Sequence, residues 1–159
     1  DKVLSKTLIT FLANTGLRAT ECCNLKLEDI NLINRTVHVK LGKGKKNRMV
    51  GLTDKALSVL TPYLEMRLKI HTRLENFFIN RGGTAFNNQS LAKRIKRLGK
   101  QINLDISPHA LRRSFVTINV NQGKPLVHLQ IACGHSDITT TRNYCMTSQN
   151  EVIEAMKGW

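Results

Sequence analysis

The chain has 159 residues, 41% of them hydrophobic, which is enough to bury the core of one domain and excludes a disordered basic tail. Lys and Arg number 25 against 11 Asp and Glu, and the formal net charge of +14 favours a polyanionic partner such as nucleic acid. No apolar stretch reaches the ~20 residues of a membrane span, so we expect no membrane association. The four cysteines show no CxxC pair or zinc-ligand spacing, and we expect reduced thiols in a cytoplasmic protein with neither metal nor cofactor.

The first third of the chain predicts two helices followed by a hairpin. Apolar side chains recur at helical spacing over residues 3–12, Gly16 ends that helix, and a short second helix begins at Thr20. Residues 35–41 alternate like a strand and residues 48–52 return as a second strand. The turn between them is rich in glycine and lysine, so the hairpin carries its positive charge at its tip.

The middle of the chain predicts two further helices. Thr53 caps the first, which extends to about residue 69, and the apolar run 77–79 is a candidate third strand. The next helix starts at Asn88 or Ser90 and has one apolar face. Its other face holds cations and no acid, which favours contact with phosphate groups. These cations are Lys93, Arg94, Lys96, Arg97 and Lys100.

The last third predicts a series of short helices. Ser107, followed by a proline, is a strong helix start, and Gly123 ends that helix. Residues 126–133 form the next helix, and a further one presents Tyr144. An amphipathic segment at residues 152–156 closes the chain, which begins without a Met and is expected to be a fragment of something longer.

Six side chains in five short segments form the most specific feature of the sequence. They are Arg18, Lys43, His109, Arg112, His135 and Tyr144, in segments 15–21 (TGLRATE), 42–46 (GKGKK), 109–112 (HALR), 133–135 (CGH) and 140–144 (TTRNY). Guanidinium groups hold the non-bridging oxygens of a phosphate, lysine and histidine exchange protons, and tyrosine supplies an attacking hydroxyl. The set therefore suits nucleophilic cleavage of a phosphodiester.

These segments, in this order and with Tyr144 nine residues after His135, resemble the tyrosine recombinases, or phage integrase family, over about residues 7–149. The resemblance implies an α+β, mainly helical fold with a small antiparallel sheet. It implies that residues 1–159 are a C-terminal catalytic domain whose N-terminal core-binding domain is absent from this chain. It also implies site-specific cutting and rejoining of double-stranded DNA through a covalent 3′-phosphotyrosyl intermediate, without metal or ATP. The implied assembly is a homotetramer on DNA. For the protein free of DNA, a monomeric state stays an alternative.

The resemblance assigns the phosphate ligands and the general acid residue by residue. Arg18 and Arg112 match the two arginines that bind the phosphate, and Glu21 matches the acidic residue that supports the first of them. Lys43 matches the lysine that protonates the leaving 5′ oxygen. Two other lysines of the same loop, Lys45 and Lys46, are rival candidates for that role.

The remaining roles concern the nucleophile and the surface around it. Tyr144 matches the nucleophile, His109 the histidine that exchanges a proton with it, and His135 the histidine that donates to the phosphate. We predict further contacts with the DNA backbone for eight cations, namely Lys45, Lys46, Arg48, Lys93, Arg94, Lys96, Arg97 and Arg113.

Two other functions stay open at this point. Type IB topoisomerases resemble this site and relax supercoiled DNA as monomers, although the contexts of segments 109–112 and 134–135 favour a recombinase. A DNA-binding module that does not cut would carry a similar basic surface. The complete set of six side chains favours cleavage over binding alone.

Overall fold

The computed structural model of the protein describes residues 2–40 and 47–134. Its helices are α1 (Lys2–Thr15), α2 (Ala19–Asn24), a short 3-10 helix (Leu27–Asp29), α3 (Asp54–Leu68), α4 (Asn88–Gln101), α5 (Pro108–Asn121) and α6 (Leu126–Cys133). Its strands are β1 (Ile30–Asn31), β2 (Thr36–Val39) and β3 (Arg48–Gly51). Several predictions lie outside the described residues: the hairpin tip with Lys43, Lys45 and Lys46, then His135, the helix of Tyr144 and the segment 152–156.

Helix α1 forms the centre of the main core. Its side chains Leu4, Leu8, Phe11 and Leu12 are almost fully buried, because the helix packs against α3, α4 and α5. Burying each such side chain contributes roughly 1.5–3 kcal/mol. The packing against α5 has a consequence for the site, since it brings the residue that ends α1, Gly16, beside α5.

The small sheet is antiparallel, with the strand order β1-β2-β3. Strands β2 and β3 pair so that Val37 lies opposite Val50 and Val39 opposite Arg48. These four side chains are all buried, whereas Met49 between them is exposed. The first residue of β3 therefore projects inward, directly after the hairpin tip in the sequence. The sheet and the surrounding helices confirm the predicted α+β, mainly helical class.

Residues 77–79 do not form the predicted third strand, which is instead β1. The Phe77 N–H donates to the Leu25 carbonyl, and the Ile79 N–H donates to the Tyr63 hydroxyl. That hydroxyl in turn donates to the Phe77 and Ile79 carbonyls. The backbone groups of this buried segment are thus satisfied by a side chain and a loop rather than by a neighbouring strand.

Local signals fix the ends of the helices that lead to the site. The Ser107 hydroxyl accepts from the Ala110 N–H at 3.1 Å and caps α5. Gly134 ends α6 with φ +62°, a left-handed conformation that suits glycine. The thiols of Cys22, Cys23 and Cys133 are free and buried. Within residues 2–40 and 47–134, no helix has the length and apolar character needed to cross a membrane.

Candidate active site

Three arginines converge on the last carbonyls of α6. Arg48 Nε donates to the Ala132 carbonyl at 2.8 Å, and Arg112 Nη2 donates to the Cys133 carbonyl at 2.8 Å. Arg18 reaches two of these carbonyls, with Nη1 at 3.3 Å from Cys133 O and Nη2 at 3.2 Å from Gly134 O. The final carbonyls of a helix lack intrahelical donors and carry partial negative charge. The end of α6 therefore attracts and orients three guanidinium groups.

The carboxylate of Glu21 lies beneath two of these arginines. Oε1 accepts from Arg18 Nη1 at 3.1 Å and from Arg48 Nη1 at 3.0 Å. Oε2 accepts from the Arg18 backbone N–H and from Arg48 Nη2, both at 2.8 Å. The cluster contains three guanidinium groups and one carboxylate, so it keeps an excess of positive charge. Such an excess is what an anionic ligand requires.

Exposure differs sharply among these side chains. The Glu21 and Arg48 side chains are 4% and 6% exposed, whereas the Arg18 side chain is 44% exposed. The pair of Glu21 and Arg48 therefore forms the interior of the cluster, and Arg18 forms its solvent-facing side. Of the two arginines that hold Glu21, Arg18 is the one open to a ligand.

Arg112 joins the end of α1 to the end of α6. Its Nη1 donates to the Gly16 carbonyl at 2.6 Å, while Nη2 donates to Cys133 O, and the residue is only 5% exposed. Burial lowers the pKa of Arg112, although a guanidinium remains charged at neutral pH. These two hydrogen bonds use two of the five N–H bonds of the group. The structure thus brings together Arg18 and Arg112, the two predicted phosphate ligands, at one carbonyl.

Glu21 is held as a charged carboxylate. Burial acts to raise the pKa of Glu21, but hydrogen bonds from the Arg48 side chain and the Arg18 backbone, with the charges of both arginines, outweigh it and lower the pKa. The supporting role predicted for Glu21 fits this geometry. The structure adds Arg48 as a second partner of the same carboxylate.

We expect the Glu21 pair to make the protein sensitive to acid. Because the folded-state pKa is lower than the ordinary 4.5, the stabilisation is fully present above pH 4.5 and is lost as the pH falls through the folded value. Glu21→Gln should lower stability at neutral pH by about 3–5 kcal/mol, because it leaves a buried arginine without its charge partner. Thermal unfolding between about pH 3 and 7 measures both effects.

The matched control for this prediction is Glu75→Gln. Glu75 accepts from Lys26 Nζ at 2.7 Å, but both side chains are largely exposed, and exposed pairs contribute little. We expect this variant to unfold like the parent protein at every pH. Equal loss of stability in the two variants would contradict a special role for the buried pair.

The other predicted catalytic residues are described only in part. His109 is exposed on α5, one helical turn before Arg112. Lys43, His135 and Tyr144 lie outside the described residues, although Gly134, whose carbonyl accepts from Arg18, directly precedes His135 in the sequence. Their roles stay predictions.

The predicted DNA contacts divide into exposed and buried side chains. Lys93, Lys96 and Arg97 on α4 are exposed, as is Arg113 on α5, and these stay predictions. Arg94 is half-buried and its Nη2 donates to the Ser5 hydroxyl at 3.2 Å.

The prediction that Arg48 contacts DNA is corrected by the structure. Arg48 is 8% exposed and its guanidinium is engaged by Glu21 and the end of α6. Sequence reasoning missed this role, although the alternation of β3 places Arg48 on the same face as the buried Val50. Across the described ranges, 2–40 and 47–134, no three His, Cys, Asp or Glu side chains are grouped as a metal site would need.

Comparison with known proteins identifies the family. The model of the phage integrase family matches residues 1–151, and the chain belongs to that family. Tyrosine recombinase XerD of Staphylococcus epidermidis is 38% identical over 152 residues, which cover 92% of this chain and 51% of the relative. XerD of Staphylococcus aureus is likewise 38% identical, with the same coverage. The chain thus spans about half the length of these curated relatives.

Solved structures agree with the fold. XerA recombinase superposes with a TM-score of 0.85 at 28% identity, covering 99% of this chain and 63% of that one. The XerH recombinase bound to its difH substrate, in a pre-cleavage complex, gives a TM-score of 0.78 at 30% identity, covering 96% and 45% of the two chains. The family predicted from the five segments is confirmed.

Proposed function

We propose that this chain is the catalytic domain of a site-specific DNA recombinase that cuts and rejoins strands through a covalent 3′-phosphotyrosyl intermediate. The observation that carries the proposal is the convergence of Arg18 and Arg112 on the Cys133 carbonyl, within a cluster that keeps excess positive charge. The relatives named tyrosine recombinases support it, as does the order of the six predicted side chains.

The proposed reaction is a transesterification at one phosphorus. The Tyr144 hydroxyl attacks, its oxygen forms a bond to phosphorus, and the bond from phosphorus to the 5′ oxygen breaks. His109 receives the tyrosine proton, and Lys43 gives a proton to the leaving 5′ oxygen. The products are a 3′-phosphotyrosyl ester and a free 5′ hydroxyl. Because the ester conserves the bond energy, attack by a 5′ hydroxyl reverses the step without ATP.

The two arginines supply the charge that this reaction needs. A pentacoordinate phosphorus places extra negative charge on its non-bridging oxygens, and preorganised guanidinium donors stabilise that charge. Arg18 and Arg112 are preorganised, because carbonyls of α1 and α6 and the carboxylate of Glu21 hold them. A cationic site of this kind takes the part that divalent ions play in carboxylate-based sites, so we propose cleavage without metal.

We propose double-stranded DNA as the partner. XerH was solved in complex with its difH substrate, and the exposed cations of α4 offer this chain a surface for backbone phosphates. By the family resemblance, we propose that a core-binding domain completes the grip on DNA and that four copies act on two sites.

Replacing Tyr144 by phenylalanine is expected to abolish covalent attachment to DNA. The change removes only the attacking oxygen, so binding should persist while cleavage stops. The measurement is a denaturing gel after incubation with a nicked duplex in EDTA, in which cleavage traps the protein on DNA. The parent protein should give a slowly migrating band, and the variant none.

Tyr63→Phe is the matched control. The Tyr63 side chain is fully buried and its hydroxyl is engaged by the backbone of residues 77–79. This variant should lose about 1–3 kcal/mol of stability, because buried backbone groups lose their hydrogen-bond partner, and it should keep the covalent band. A band that survives in Tyr144→Phe, or that the parent forms only when metal is present, contradicts the proposal. Relaxation of supercoiled DNA without strand exchange would instead favour a topoisomerase.

A further inference from the structure

Arg48 makes more contacts than its ion pair with Glu21 requires. Its side chain joins β3, the strand that contains it, to two other parts of the chain: the Glu21 carboxylate of α2 and the Ala132 carbonyl at the end of α6. Each of these parts adjoins a segment with a predicted catalytic residue. The hairpin tip precedes β3, Arg18 precedes α2, and His135 follows α6 in the sequence.

The bidentate contact between Arg48 and Glu21 limits how the carboxylate can bind the Arg18 side chain. Arg48 places one N–H on each carboxylate oxygen, at 3.0 and 2.8 Å, and the Arg18 backbone N–H takes a further site on Oε2. The Arg18 side chain is left with one contact to the carboxylate, at 3.1 Å through Nη1. Since a carboxylate has about four acceptor sites, Glu21 is fully used by these four donors.

The geometry points to Arg48 as a positioning residue that occupies Glu21 and so leaves Arg18 available to the scissile phosphate. Without Arg48, the buried carboxylate would lose its bidentate partner, and the Arg18 guanidinium, which contacts it through Nη1 alone, is close enough to take over both oxygens. Such a pair would draw Arg18 inward and neutralise its charge. This inference rests on the proposed function, because it assumes that Arg18 binds a phosphate during cleavage.

Gly134 shows how closely Arg48 fits the end of α6. A Cβ atom at this position would lie 2.8 Å from Arg48 Nη1 and 3.0 Å from its Cζ. The guanidinium therefore lies against the backbone of Gly134, the same residue whose carbonyl accepts from Arg18 Nη2. Arg48 and Arg18 are thus held by consecutive carbonyls of one helix end.

Arg48→Met tests this role, because methionine keeps an unbranched apolar stem and removes the guanidinium. Two nicked duplexes of one sequence are compared. One has the natural phosphate at the scissile position and the other a methylphosphonate, in which a neutral methyl replaces one charged non-bridging oxygen. A defect that arises from lost charge neutralisation by Arg18 should be smaller on the methylphosphonate.

We expect Arg48→Met to lower the single-turnover cleavage rate on the phosphate by about 10²-fold. On the methylphosphonate the loss should be less than about tenfold, since less negative charge develops there. Arg18→Ala should show the same selective defect. All rates are measured with protein in excess and at a temperature where circular dichroism shows each variant folded.

Arg67→Met is the matched control for the loss of a buried arginine. Arg67 is 3% exposed and donates to the Asn76 and Leu74 carbonyls at the far end of α3, with no carboxylate among these partners. It should lower stability and leave the rates on both duplexes near those of the parent protein.

Each other outcome overturns the inference in a recognisable way. Equal losses on the two duplexes would make Arg48 a structural residue only, and unchanged rates would remove any role. A parent protein that cleaves neither duplex would overturn the proposed function, and the inference with it. Cleavage by the parent therefore separates failure of the inference from failure of the function.

Discussion

Arg112→Lys is expected to lower the rate of DNA cleavage by about 10²–10³-fold while DNA binding at low salt persists. The Arg112 guanidinium spans the Gly16 carbonyl at 2.6 Å and the Cys133 carbonyl at 2.8 Å, and both distances depend on its planar fork. A lysine ammonium is a single point of charge and does not reproduce two divergent donors. The measurement is single-turnover cleavage of a nicked duplex, with binding followed by gel shift.

The same change should also destabilise the fold. One buried carbonyl would lose its donor, at a cost of about 1–3 kcal/mol. Arg67→Lys provides the comparison, because Arg67 is equally buried and also donates to two backbone carbonyls, at 3.0 and 2.6 Å. We expect similar losses of stability in the two variants but a loss of cleavage only in Arg112→Lys. A folded Arg112→Lys protein that cleaves at the parent rate would contradict the assignment.

The sequence predicts the parts of this fold that short-range signals determine. Gly16 ends α1, Ser107 caps α5 and Gly134 ends α6, as their residue types indicate. The hairpin of β2 and β3 follows from alternation on either side of a glycine-rich turn. The apolar run 77–79 was different, because a short apolar run without alternation does not reveal whether its backbone pairs with a strand or with a side chain.

The site was predictable in its residue types and only partly in its contacts. Glu21 and Arg18 are three residues apart, so their pairing could be expected from the sequence. The second partner of Glu21 could not, because Arg48 is 27 residues away and meets it only in the folded protein. The role of the Cys133 carbonyl could not be predicted for another reason. Every residue has a backbone carbonyl, so the sequence does not show which one accepts hydrogen bonds from two arginines.

A single methyl group at the end of α1 should also be strongly destabilising. Gly16 has φ +66°, and a Cβ atom there would lie 2.5 Å from Phe115 Cδ1 and 2.8 Å from Cε1. Gly16→Ala therefore combines backbone strain of about 1–3 kcal/mol with overpacking of about 1–3 kcal/mol. We expect a fall in the free energy of unfolding of about 2–6 kcal/mol, measured by urea or thermal denaturation.

Gly123→Ala separates backbone strain from overpacking, because Gly123 has a backbone conformation like that of Gly16 but lacks its close neighbour. Gly123 has φ +73°, yet a Cβ atom there would meet nothing within 4 Å. This variant should show the backbone strain alone, about 1–3 kcal/mol. Only Gly16→Ala should also reduce cleavage, because the Gly16 carbonyl holds Arg112 and moves with the end of α1.

Adding Phe115→Leu to Gly16→Ala should restore part of the lost stability by making room for the methyl group. Equal destabilisation in Gly16→Ala and Gly123→Ala would show that the contact with Phe115 does not constrain this end of the helix.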